Sequence, residues 1–178
     1  MLNNRGGWRT IGATMEETGI TPAAFPVAVI MERVALNNRW QNERWEAKGI
    51  VRDLGPAGGA GRVIVRAEGL LQMLYPGFRL NLLRDEAEGY FLNITSPQPK
   101  VFVLWRMRDD IARPEQITVS YHEGARWMDS DEHVDGVPLP PELLPWIGEF
   151  VAAHYKPEPR KPKRYASNKD KGRMGRFE

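Results

Sequence analysis

The sequence predicts a mainly β protein of the α+β class, with about seven antiparallel strands in a bent sheet or small barrel that one C-terminal helix closes. Two observations favour this class. Short apolar runs recur between residues 25 and 121, separated by Gly, Pro, Asn and Asp, as is typical of strands joined by turns. A sustained helical period appears only later, between Leu139 and Tyr155.

The stretch from Glu88 to Arg108 is predicted to form the central hairpin of the sheet. Its first run alternates, with Tyr90, Leu92 and Ile94 on one face, and its second run is apolar on both faces. The two runs are joined by Ser-Pro-Gln-Pro at residues 96–99, which favours a turn. We therefore expect two neighbouring strands here, buried on both sides.

The remaining strands are expected before and after this hairpin. Pro26 stands where a strand can begin without losing a hydrogen bond of the ladder. Residues 75–77 (Tyr-Pro-Gly) favour a turn, and residues 109–116 favour a polar connection. The predicted strands are residues 25–36, 45–54, 63–71, 78–83 and 117–121.

One long helix is predicted near the end of the chain. Pro141 suits the first turn of a helix, and Glu142 suits the positive end of its dipole. An apolar stripe follows at helical spacing and should pack on the sheet. Its members are Leu143, Trp146, Ile147, Phe150 and Val151. Residues 125–128 are expected to form no more than a single turn.

Charge divides the chain into a body and a tail. Residues 1–155 contain 16 Lys and Arg against 20 Asp and Glu, whereas residues 156–178 contain 9 against 3. The body is therefore mildly acidic and the tail strongly basic. We predict a disordered arm at residues 1–24, one β-rich domain at 25–156, and a disordered basic tail at 157–178.

Composition also indicates the compartment. Cysteine is absent, which excludes disulfides, thiolate nucleophiles and cysteine-ligated metal sites. No apolar run is long enough for the core of a signal peptide or for a membrane span. The sequence predicts a cytoplasmic protein without membrane partners.

Catalytic and metal-binding motifs are weak throughout. Residues 55–61 are glycine-rich but lead into a strand and lack the Gly-Lys-Ser/Thr of a phosphate-binding loop. Asp131, Asp135 and Glu142 have the spacing of calcium-loop carboxylates, but a histidine and several prolines interrupt the loop. His122, His133 and His154 show no metal-site spacing. We predict no catalytic residue, metal or cofactor.

Aromatic and basic residues are the candidates for partner binding. Trp40 and Trp45 either fill the core or form an exposed anchor beside neighbouring arginines, and Arg126 with Trp127 is a second candidate. The basic tail could bind nucleic acid, dock on an acidic protein, or only aid solubility. Its candidate residues are Arg160, Lys161, Lys163 and Arg164.

Several motifs over residues 25–160 resemble a bacterial family known as domain of unknown function 3305. They are the Trp-x4-Trp pair, the Ser-Pro-Gln-Pro turn, the Arg-Trp-Met-Asp run that begins at Arg126, and the closing helix with the segment that follows it. The resemblance implies a genetic neighbourhood, because relatives are typically encoded beside molybdenum-dependent formate dehydrogenases, but it assigns no activity.

We therefore expect a non-catalytic accessory protein for assembly, maturation or regulation, which binds a formate dehydrogenase subunit or its maturation proteins. The alternative is a nucleic-acid-binding regulator that uses the basic tail.

Overall fold

The computed structural model describes residues 24–37, 39–55 and 59–157. The strands are β1 (Ala24–Ala35), β2 (Glu43–Arg52), β3 (Arg62–Ala67), β4 (Leu70–Asn81), β5 (Lys100–Arg108), β6 (Ile111–Thr118) and β7 (His133–Pro138). The α-helices are α1 (Ala87–Ile94), α2 (Tyr121–Asp129) and α3 (Leu144–His154), and 3-10 turns at Arg84–Glu86 and Pro141–Leu143 precede α1 and α3. The predicted arm and tail lie outside the described residues, apart from Ala24 and Pro157.

The strands form two sheets, one with the order β2-β1-β4-β3 and one with the order β6-β5-β7. Every strand pair is antiparallel, so the mainly β class is confirmed. The prediction of one bent sheet or small barrel is not, because the chain leaves the first sheet through α1 instead of continuing as a hairpin. Hydrogen bonds between described residues join the sheets: Ala47 N–H donates to Asp135 Oδ2 at 2.8 Å, and Tyr75 OH donates to Ala112 O at 3.2 Å.

The first half of the predicted central hairpin is wrong, since residues 87–94 form α1. The buried residues of this segment include Ala87, Tyr90 and Asn93, spaced at three residues, whereas Leu92 is exposed. A short apolar segment fits both periods, and here tertiary packing selects the helical one. The second half is correct: β5 is the central strand of its sheet.

The prediction of a single helix is also wrong, since α1 and α2 form as well. In α2, Ser120 is the N-cap and its hydroxyl accepts a hydrogen bond from the Glu123 N–H at 3.1 Å. The segment from Asp131 to Gly136, interpreted from its carboxylates as a loop, instead lies largely within β7. This polar strand exists because β5 offers it a full ladder of partners.

Two segments that were predicted to connect strands are themselves part of strands. The polar connection at 109–116 is mostly β6, whose Pro114 lies opposite Trp105 where the register shifts. The turn predicted at 75–77 is absent, because β4 runs through Pro76 and Gly77 opposite a register shift in β1. Instead, β4 begins at a turn that contains Gly69, which has a φ of 71°.

The helix predicted near the end of the chain forms as α3. Trp146, Ile147 and Val151 are buried, with Trp146 against Phe25 at a ring-centroid distance of 5.8 Å. Burial of this apolar stripe holds α3 on the core, and its main neighbour among the described elements is α1, where Tyr90 packs against Phe150. Among the described residues, no helix is both long enough and apolar enough to cross a membrane.

Candidate functional site

An open groove of about 610 Å³ lies between α1 and α2. The loop at residues 96–99 and the first residues of β5 complete its walls and floor. Three large apolar side chains border it and remain partly in solvent: Leu92 is 40% exposed, Tyr121 53% and Met128 48%. The other lining residues are Asn93, Ser96, Pro97, Gln98, Lys100, Phe102 and Ala125.

Two glycines allow α2 to pack closely on β5 and α1 to pack closely on the N-cap of α2. A Cβ on Gly124 of α2 would stand 2.5 Å from the ring of Phe102, which is buried at the floor. A Cβ on Gly89 of α1 would collide with the hydroxyl of Ser120. Both positions therefore exclude side chains by close packing.

Hydrogen bonds of the Asn93 side chain hold the floor of the groove in place. Its side chain is almost fully buried, and Nδ2 donates to Lys100 O at 2.7 Å and to Val119 O at 2.8 Å. Its Oδ1 accepts from the Lys100 N–H at 2.9 Å. One amide thus ties α1 to β5 and to the segment before α2. Sequence reasoning missed this role because it assigned Asn93 to a strand.

A polar cluster behind the groove holds the start of α2 against α1. The Glu86 carboxylate accepts hydrogen bonds from the Ser120 hydroxyl and, at 2.6 Å, from Arg126 Nη2. Burial opposes ionisation of Glu86, but these two hydrogen bonds and the positive charge of Arg126, with a contribution from His122, outweigh it and lower its pKa. The carboxylate is therefore charged at neutral pH.

The lining of the groove is mostly apolar. Among the described residues, Lys100 supplies its one charged side chain, and the stem of that lysine passes beside Gly136 of β7, where a side chain would collide with it. Large apolar groups beside a single ammonium group suit a partner segment that carries an apolar side chain next to a carboxylate. Met128 adds a flexible side chain that can adapt to the shape of a partner.

A comparison with models of known protein families identifies the family of the chain. A family model described as a protein of unknown function, DUF3305, matches residues 26–164. The chain belongs to the DUF3305 family. No curated protein and no solved structure matches the chain.

The two tryptophans predicted as a pair have different surroundings in this DUF3305 protein. Trp40 is 89% exposed, between β1 and β2. Trp45 is buried in β2, the Arg33 guanidinium stands 5.8 Å from the centre of its ring, and its indole N–H has no hydrogen-bond partner among the described residues. Of these two tryptophans, Trp40 is the one that is exposed enough to serve as an anchor.

The structure describes two of the other residues that were predicted to bind a partner. Arg126 is paired with Glu86 while 60% of its side chain stays exposed, and Trp127 is half-buried on α2. Neither residue lines the groove, although both lie on the helix that forms one of its walls. Arg160, Lys161, Lys163 and Arg164 lie outside the described residues. A role in binding stays a prediction for all of them.

The three carboxylates with calcium-loop spacing, Asp131, Asp135 and Glu142, do not form one cluster. Asp135 Oδ2 accepts from the Ala47 N–H and, at 2.7 Å, from the Trp105 indole N–H, so that it joins β7 to β2 and β5. Asp131 and Glu142 are exposed on either side of β7. Within residues 24–37, 39–55 and 59–157, no three His, Asp or Glu side chains form a group that could hold a metal ion.

The histidines have separate packing partners. His133 stacks on Trp105 with ring centroids 4.4 Å apart, and His154 contacts Phe150 at the same centroid distance. His122 lies on α2, near the Glu86 carboxylate whose pKa it helps to lower. Each histidine thus belongs to a different local cluster.

Proposed function

We propose that this DUF3305 protein is a non-catalytic accessory protein of the cytoplasm that binds another protein through the α1–α2 groove. The observation that carries the proposal is the exposure of Leu92, Tyr121 and Met128 around one concave surface. Apolar side chains on a rigid, concave surface gain free energy when a partner removes them from water. The rigid framework below them reduces the entropy cost of binding.

The proposed partner is a subunit of a molybdenum-dependent formate dehydrogenase or one of its maturation proteins. This choice is supported by the genetic neighbourhood that the family resemblance implies, and not by any residue of the groove. The groove adds a chemical requirement, since the partner segment should present an apolar side chain and a carboxylate for Lys100.

Affinity purification of the full-length tagged protein from its native host, grown on formate, tests the proposal. The variant Leu92→Glu/Met128→Glu places two carboxylates in the groove, at exposed helical positions that tolerate glutamate. Met107→Glu is the matched control, because Met107 is 44% exposed and lies outside the groove. Mass spectrometry then compares the proteins recovered with each form.

We expect formate dehydrogenase subunits or maturation proteins to be recovered with the wild type and with Met107→Glu. They should not be recovered with the groove variant. Equal recovery with all three forms would overturn the assignment of the groove. Recovery of nucleic acid alone, released by salt, would overturn the accessory role and favour the regulator that uses the basic tail.

A further inference from the structure

The edge of β3 is a second exposed apolar surface, separate from the groove. Among the described residues, this strand is the last of its sheet and pairs only with β4. All six of its residues are exposed, and three consecutive β-branched side chains are 37–42% exposed: Val63, Ile64 and Val65. An edge strand of this kind presents main-chain N–H and C=O groups together with apolar side chains.

The basic side chains of the edge strands differ in their partners. Lys48 of β2 is paired with Glu32 at 3.1 Å, and Arg113 of β6 lies 3.8 Å from Asp109. Arg62 and Arg66 of β3, like Arg52 of β2, form no ion pair with any described residue, although the charge of Arg62 acts on the Asp53 carboxylate. The edge of β3 is therefore both apolar and positively charged.

These charges favour an acidic partner strand over a second copy of the chain. Two copies paired through β3 would bring four arginines to one edge, and like charges on adjacent strands are destabilising. An extended segment with glutamates or aspartates would instead neutralise Arg62 and Arg66.

We propose that β3 is a docking edge for an extended acidic segment of another protein, which adds to the sheet as a fifth strand. Main-chain hydrogen bonds to β3 provide the affinity of such a complex, and the two arginines select the charge of the segment. This surface is independent of the α1–α2 groove, so either one can be tested without the other.

The register of β3 places Arg62 and Arg66 on opposite faces of the sheet. The probe is therefore a blocked nine-residue peptide of valine, threonine and glutamate with a glutamate on each face of the strand, added to the full-length protein. Calorimetry measures its affinity, and amide hydrogen exchange locates it. We expect slower exchange in residues 62–67, and an affinity at least about tenfold higher than that of the same peptide with lysine in place of glutamate. Arg62→Glu/Arg66→Glu should reverse this preference, whereas Arg113→Glu on β6 should not.

Ile64→Lys gives a second variant, which blocks the edge without changing either arginine and should abolish protection of residues 62–67. Unchanged exchange in β3 at millimolar peptide would overturn the proposal, as would protection confined to residues 92–100 in the groove. A concentration-dependent dimer that Ile64→Lys dissociates, detected by sedimentation velocity, would assign the edge to a second copy of the chain instead.

Discussion

The α1–α2 groove and the β3 edge expose apolar side chains to a similar extent but are supported in different ways. Leu92 in the groove is 40% exposed and Ile64 on the edge is 42% exposed. The groove rests on a buried amide, two close-packed glycines and a charged cluster, whereas within the described part of the chain β3 pairs with β4 alone. Exposure by itself therefore does not define a site. The groove offers a fixed shape, and the edge offers main-chain hydrogen bonds.

The substitution Asn93→Leu should reveal the largest difference between the two regions, measured as a change in the free energy of unfolding. The substitution leaves the Lys100 N–H and the carbonyls of Lys100 and Val119 without their side-chain partner. We expect a loss of roughly 3 kcal/mol in the free energy of unfolding. Val65→Thr on the β3 edge should change it by less than about 0.5 kcal/mol. Urea denaturation measures both, and similar losses would contradict the difference in support.

Gly124→Ala tests the close approach of α2 to Phe102. The new methyl group would force the helix or the ring to move, which should cost about 1–3 kcal/mol and alter the groove. Gly148→Ala in α3 is the matched control, because no atom lies within 4 Å of its added Cβ. It should stabilise the protein by about 0.5–1 kcal/mol through helix propensity. Thermal denaturation should give shifts of opposite sign, and two shifts of the same sign would refute this packing.

A smaller effect is expected from pH, through Glu86. Its pKa is lower in the folded state than the value of about 4.3 typical of an unfolded chain. Its ionised form therefore stabilises the fold above that unfolded value, and the contribution is lost as pH falls through the folded pKa. The stability difference between wild type and Glu86→Gln should shrink as the pH falls from 6 through this window.

Urea denaturation at several pH values measures that difference. Arg126→Gln removes one source of the lowered pKa and should leave a weaker pH dependence than the wild type shows. If wild type and Glu86→Gln lost stability in parallel over the whole range, the ionised Glu86 would have no special role at the base of α2.

The sequence predicted the fold where hydrophobic pattern and length agree. Long β-branched runs gave β1, β2 and β5, and the apolar stripe with its early proline gave α3. Segments whose structure depends on a partner were missed. The eight residues of α1 are too few to separate a helical period from an alternating one, and β7, with Asp135 and Gly136, is a strand only because β5 lies beside it.

The candidate site was predictable only in part, for the same reason. Arg126 and Trp127, predicted as binding residues, lie on α2, which forms one wall of the groove, but the sequence predicted no more than a single turn there. Leu92 had been placed on the buried face of a strand, and nothing in the local pattern of Met128 or Tyr121 separates a groove from a core. The hydrogen bonds of Asn93 join residues up to 26 positions apart along the chain, a distance that local patterns do not cover.

NMR of methyl-labelled methionine tests the role of the groove most directly. Met128 borders the groove, Met107 is exposed outside it, and Met31 is buried in the core. Each purified subunit of the host's formate dehydrogenase, and each of its purified maturation proteins, is added in turn to the labelled full-length protein. We expect at least one of these proteins to shift or broaden the Met128 methyl signal and to leave those of Met107 and Met31 unchanged. A Met128 signal that none of them perturbs, or a response at Met107 alone, would contradict the proposed role of the groove.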